Sequence, residues 1–139
     1  MLPVYAHDIA AILAGETGHD RSAAATAAGL VRACGKVLDQ IAPLIGEAGA
    51  CTLFARSLAL TSMQFPFLAE PRREPASRPG DPLRSRIAER DAATASAAAV
   101  ALLTTLIGML IRFIGEDLAV RLIRAAWPAA FPSKPKESM

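Results

Sequence analysis

Aromatic side chains are scarce in this sequence, at 5% of the residues, although 53% of the chain is hydrophobic. Ala, Leu, Ile and Val therefore carry the apolar content, and that mixture favours closely packed helices. A large excess of one charge is missing too, since 15 basic residues stand against 13 acidic ones for a net charge of +2. Nucleic-acid-binding domains carry a much stronger basic excess, so we expect no nucleic-acid partner.

The motifs of common catalytic and metal sites are also missing. Cys34 and Cys51 have neither a CxxC spacing nor a neighbouring histidine, which predicts buried, reduced thiols. The sequence has no Gly-rich phosphate loop and no Gly-x-Ser-x-Gly elbow. We therefore expect a protein that is not an enzyme and that holds no cofactor or metal. The first 15 residues have no basic leader and include Asp8, which predicts a cytoplasmic location.

Apolar residues recur at helical spacing in the first half of the chain. The pattern predicts a short helix over about 3–14 that stops at Gly15, followed by a turn over 16–20. Asp20 is the expected N-cap of a long helix that continues to about Phe65, and Pro43 is expected to bend it.

The second half begins with a different composition. Prolines and arginines dominate residues 66–81, which predicts a mobile linker. Asp81 and Pro82 are typical of a helix start, and the helical pattern then continues to Trp127. Prolines recur in residues 128–139, where we expect a frayed tail. Residues 1–139 are thus expected to form a single all-α domain.

An internal repeat relates the two halves at an offset of 69 residues. Ten of the 33 positions from 21 to 53 are identical to the residue 69 positions later, including Ile-Gly-Glu at 45–47 and 114–116. The repeat predicts a duplicated long or kinked helical unit, over about 20–58 and 89–127, with each copy interrupted or bent at Ile-Gly-Glu. Because two such units bury little core, we expect a homodimer to complete the bundle. The residues expected to pack the core or the dimer are Leu103, Leu106, Ile107, Leu110, Ile114 and Trp127.

The stretch from Ala92 to Ile111 is uncharged for 20 residues, which is long enough for a membrane span. Its first third is rich in Ala, Ser and Thr, and the matching first copy carries Arg32, Lys36 and Asp39 at equivalent depth. A buried helix in an oligomeric bundle explains the same composition, and we favour it over a span or an interfacial helix.

The repeated glutamates are the candidate ligand-binding residues. Glu47 and Glu116 could face each other where the helices bend, and Asp117 lies four residues before Arg121, at helical ion-pair spacing. The alternative is that the glutamates only favour the helix dipole at a bend. One Glu-x-x-His spacing, Glu16 with His19, contains Gly18 and is interpreted as a solvated turn.

These observations do not name an activity. The leading hypothesis is a non-enzymatic helical module that self-associates and binds a further protein, of unknown identity, in a regulatory or accessory role. Two alternatives stay open: a membrane-associated protein that uses residues 92–111, and a bundle that binds a small ligand or cation at the repeated carboxylates.

Overall fold

The structure, a computed structural model, describes residues 6–18, 20, 22–69 and 80–127, and it confirms the all-α class. The described ranges contain no strand. The α-helices are α1 (Ala6–Thr17), α2 (Ala23–Ser62), α3 (Gly80–Ala88), α4 (Ala92–Ile114) and α5 (Glu116–Ala126), with a short 3-10 helix at Pro66–Ala69.

Helix α1 ends three residues later than the sequence predicted. Gly15 lies inside the helix, and Gly18 is the residue with a positive φ of 67° that ends it. The Gly18 N–H donates to the Ala14 carbonyl at 2.9 Å, so a glycine after the last helical turn satisfies a terminal carbonyl. Glu16 consequently belongs to a helix rather than to the predicted turn.

The bend in α2 lies at Gly46 and not at Pro43. Pro43 stays inside the helix, whereas Gly46 has non-helical angles of φ 89° and ψ 159°. Gly115 has nearly the same angles, φ 94° and ψ 155°, and separates α4 from α5. Such angles are essentially restricted to glycine, which is why each of the two breaks falls at a glycine.

Two equivalent N-caps lie 69 residues apart. Ser22 begins α2 and its Oγ accepts the Ala25 N–H at 3.1 Å. Asp91 begins α4, and its Oδ2 accepts the Thr94 N–H at 3.1 Å. Asp20, the predicted cap of α2, lies just before the helix and accepts the Ser22 N–H at 2.9 Å instead. Because Asp91 begins a new helix and Gly115 ends it, the single helix predicted from Pro82 to Trp127 is divided into α3, α4 and α5.

Helices α2 and α4 form the centre of the fold, since each of them packs against all the other α-helices. The chain buries its own apolar core without a second subunit. Of the residues predicted to pack, Ile114 is half-buried and the other five are buried in this core: Leu103, Leu106, Ile107, Leu110 and Trp127. A surface for another molecule therefore has to use other side chains.

The start of the predicted linker is part of the fold. Leu68 in the 3-10 helix is fully buried, and its carbonyl accepts the Arg86 Nη1–H at 2.7 Å. Arg90 lies over the Phe67 ring at 4.4 Å from its centroid. Residues 70–79 of the predicted linker and the predicted tail at 128–139 lie outside the described residues.

Candidate functional site

The carboxylates predicted as a ligand site lie next to the two glycines at which the helical angles break, Gly46 and Gly115. Glu47, Asp117 and Arg121 are exposed, and Glu116 is half-buried. Within the described part of the chain, no hydrogen bond or ion pair joins these four residues, the Asp117–Arg121 pair included. Glu116 and Asp117 occupy the first turn of α5, where the helix dipole favours negative charge. Among the described residues, no three metal-ligating side chains form a group.

The ionic cluster that does form is centred on Glu16 in α1. Its side chain is only 6% exposed and lies between α2 and the residue that follows α5. Arg32 Nε donates to Oε1 at 3.2 Å, Lys36 Nζ donates to Oε2, and Trp127 Nε1 donates to Oε2 at 2.8 Å. The Lys36 ammonium also lies 5.9 Å from the centroid of the Trp127 ring.

Burial and hydrogen bonding act in opposite directions on Glu16. Burial raises the pKa of this carboxyl, but the hydrogen bonds from Lys36, Trp127 and Arg32 outweigh it and hold the pKa below its ordinary value. Glu16 is therefore ionised at neutral pH, and it ties three separate parts of the chain together.

The sequence analysis missed this cluster because it placed Glu16 in a solvated turn. A usable signal was present: Ile9, Ile12, Leu13 and Glu16 share one face at helical spacing, and the first three are buried. The partner cations Arg32 and Lys36 are likewise four residues apart on α2. Nothing in the pattern indicated that Trp127 would reach them.

Cysteine exposure differs from the prediction at one of the two positions. Cys34 is buried as expected, and its apolar surroundings raise the pKa of its thiol to about 12. Cys51, which was also expected to be buried, is exposed on the part of α2 beyond Gly46.

An open apolar groove of about 420 Å³ lies between the end of α2 and the second half of α4. Its lining residues are Leu60, Thr105, Gly108, Met109, Ile111 and Arg112. Two large apolar side chains close to it in sequence are strongly exposed: Met63 at 81% and Phe113 at 63%. Leu60, which lines the groove, is itself 47% exposed.

The floor of the groove continues along α4 as a face of small residues. Ala97, Ala101, Thr105 and Gly108 are spaced by four, four and three residues, and each is exposed or half-buried. A Cβ built on Gly108 meets nothing within 4 Å, so the recess there is real space. Small residues at this spacing let a second helix approach the backbone closely.

Two helices, Ala23–Ser62 and Ala92–Ile114, are long and apolar enough to cross a membrane by length and composition alone. Core helices of soluble proteins meet the same criterion. Comparison of the chain with protein-family models, with curated proteins and with solved structures finds no match.

Proposed function

We propose that this chain is a non-enzymatic helical interaction module that self-associates through the groove beside Gly108. The observation that carries the proposal is the open space at Gly108 in a groove that the exposed side chain of Leu60 also lines, with the exposed Met63 three residues further along the chain. Burying these side chains removes apolar surface from water, which is the main favourable term in association.

A second copy of the same chain is the occupant that this surface fits. A two-fold interface has to be self-complementary, with a projection and a recess on the same face. Met63 lies one helical turn beyond Leu60, which lines the groove, and Met63 is the projection. The open space at Gly108 is the recess. A methionine adapts its unbranched side chain to such an irregular gap.

The test fills the recess without disturbing the monomer. Gly108→Leu places a side chain into open space and replaces a helical glycine with a better helix former, so the monomer keeps its stability. We expect this variant to be monomeric by sedimentation velocity at concentrations where the parent chain is dimeric. Met63→Asp is expected to give the same result, because it places a charge in the interface.

The chain offers a matched control for each variant. Gly35 is also helical and also has open space where a Cβ would lie, so Gly35→Leu is the control for Gly108→Leu. Leu44 is 53% exposed but does not line the groove, so Leu44→Asp is the control for Met63→Asp. The proposal is wrong if the parent chain is monomeric, or if the groove variants and the controls dimerise equally.

The finer proposal on the fold is that α2 and the α4–α5 pair are two copies of one structural unit. Its support is the recurrence, 69 residues apart, of the Ser22 and Asp91 caps and of the Gly46 and Gly115 angles. The proposal predicts that Gly46→Ala and Gly115→Ala cost similar amounts of stability in urea unfolding. A large cost at only one glycine would contradict it.

Membrane association is the second candidate, favoured by the length and apolar composition of α4. Extraction of the expressed chain with and without detergent separates membrane association from a soluble dimer. A chain that is extracted only with detergent, and that aggregates when the detergent is removed, would support a membrane role for residues 92–114. The partner protein, the regulatory role and the cytoplasmic location predicted from the sequence remain proposals.

A further inference from the structure

A second cleft, of about 340 Å³, lies where the end of α1 meets the first turns of α2 and α4. It is on a different part of the molecule from the Gly108 groove and shares no residue with it. Its lining residues are Leu13, Ala14, Thr17, Gly18, Asp20, Thr26, Ala92, Ala93, Ser96 and Val100. Hydroxyl groups and small apolar side chains therefore share its walls.

The Thr26 hydroxyl is the unusual group in this cleft. Thr26 is only 9% exposed, yet its side chain makes no hydrogen bond in the described part of the chain. The other two buried hydroxyls in α2 are satisfied: Ser57 donates to the Leu53 carbonyl at 2.9 Å and Thr61 donates to the Ser57 carbonyl at 2.8 Å. A buried hydroxyl without a partner is unfavourable, and Thr26 lines a cleft, so we expect the partner of its hydroxyl to come from outside the chain.

Among the described residues, opposite charges offset each other around the cleft. The first N–H groups of α2 and α4 have no partner within their helices and carry partial positive charge. The carboxylates of Asp20 and Asp91 lie beside these helix starts and offset that charge. An anion would meet the carboxylates and a cation would meet the helix ends, so a full charge of either sign gains little there.

The polar and apolar groups of the lining indicate the kind of neutral molecule. The hydroxyls of Thr26 and Ser96 can each donate and accept a hydrogen bond, and the Thr17 hydroxyl, which donates to the Ala14 carbonyl at 3.4 Å, can still accept one. Leu13 and Val100 provide apolar contact on the same cleft. We propose that this cleft binds a small neutral hydroxylated molecule, of the short-chain diol class, with the Thr26 hydroxyl as a hydrogen-bond partner.

The probe for this proposal is 1,2-propanediol, titrated into the full chain while backbone amide shifts are followed by NMR. We expect saturable shifts at Gly18, Thr26, Ala93 and Ser96. Thr26→Val keeps the shape of the side chain and removes the hydroxyl, so the apparent Kd is expected to rise about tenfold, as for the loss of one hydrogen bond. Thr104→Val, on an exposed part of α4 outside the cleft, is expected to leave the Kd unchanged.

Three results would overturn the proposal. One is a linear, non-saturating shift in the parent chain, which means that the cleft holds only solvent. Another is an equal Kd for the parent and Thr26→Val, and the third is tighter binding of acetate or propylammonium than of the diol. Should Thr26→Val fail to fold, Ser96→Ala removes another lining hydroxyl at an exposed position, and an unchanged Kd in that variant would also count against a hydroxyl-lined site. Thr26→Ser keeps the hydroxyl and is expected to bind the diol as the parent chain does.

Discussion

Replacement of Glu16 tests how strongly α1 is held to α2 and to Trp127, the residue that follows α5. Glu16→Ala removes the acceptor of the Trp127 indole N–H, and Trp127 is only 6% exposed. A buried donor left without a partner costs about 1–3 kcal/mol. The ion pairs add less, because Arg32 and Lys36 are 52% and 46% exposed, and such half-solvated pairs contribute at most about 1 kcal/mol each. The expected loss of unfolding free energy is therefore about 2–4 kcal/mol.

Urea unfolding followed by fluorescence measures this loss directly, since Trp127 is the only tryptophan in the chain. Glu16→Gln keeps an oxygen that can accept the indole N–H, so it loses only the ion pairs and costs about 1 kcal/mol. Glu47→Ala is the matched control: Glu47 is exposed, and its replacement is expected to change stability by less than about 0.5 kcal/mol. An Ala variant as stable as the parent chain, or a Gln variant as costly as Ala, would refute the reasoning.

The same contact predicts how stability depends on pH. Because the pKa of Glu16 is lower in the folded chain than its usual 4.5, the ionised form stabilises the fold. That contribution to stability is complete above about pH 4.5 and is lost as the pH falls through the pKa that Glu16 has in the folded chain. Trp127 emission is expected to shift on acidification in the parent chain, and this step is expected to be absent in Glu16→Gln. Identical acid transitions in the two proteins would contradict the assignment.

Three further results are expected. Gly46→Ala and Gly115→Ala each force an L side chain into a conformation near φ 90°, and we expect each to cost about 1–3 kcal/mol of unfolding free energy in urea. Gly35 lies in a regular helix with open space around it, so Gly35→Ala is expected to stabilise the chain by about 0.5–1 kcal/mol. Equal stability of all three variants would rule out strain at the bends. With a thiol reagent at neutral pH, Cys51 is expected to react in the folded chain and Cys34 only after unfolding, because Cys34 is buried and its pKa is about 12. Equal rates at the two cysteines would contradict the burial of Cys34.

Helical spacing was sufficient to predict the fold class, because an amphipathic pattern depends on local geometry alone. The register of the 69-residue repeat identified both Gly46 and Gly115 before their angles were known. It also predicted a bend at each Ile-Gly-Glu, where Gly46 and Gly115 have the non-helical angles, whereas Pro43, the other expected bend, stays inside α2. Those angles are ones that glycine tolerates and other residues rarely adopt.

The side-chain clusters were beyond the reach of the sequence, because they join residues far apart in the chain. Glu16 and Trp127 are 111 residues apart, and neither belongs to a recognisable motif. The unpartnered state of Thr26 depends on which carbonyls and hydroxyls surround it, and no spacing rule gives that. The predicted pairing of Glu47 with Glu116 stays a prediction: a repeated motif places one glutamate after each of the two glycines, and a repeat in the sequence does not by itself give the distance between two side chains.

The most direct test of the proposed self-association is the mass of the unmodified chain in solution without detergent. Light scattering coupled to size-exclusion chromatography is expected to give a sharp species at twice the chain mass of 14.6 kDa. On dilution, this species is expected to dissociate into folded, helical monomers, because the chain buries its own core. A species that stays at 14.6 kDa at the highest attainable concentration would contradict the account.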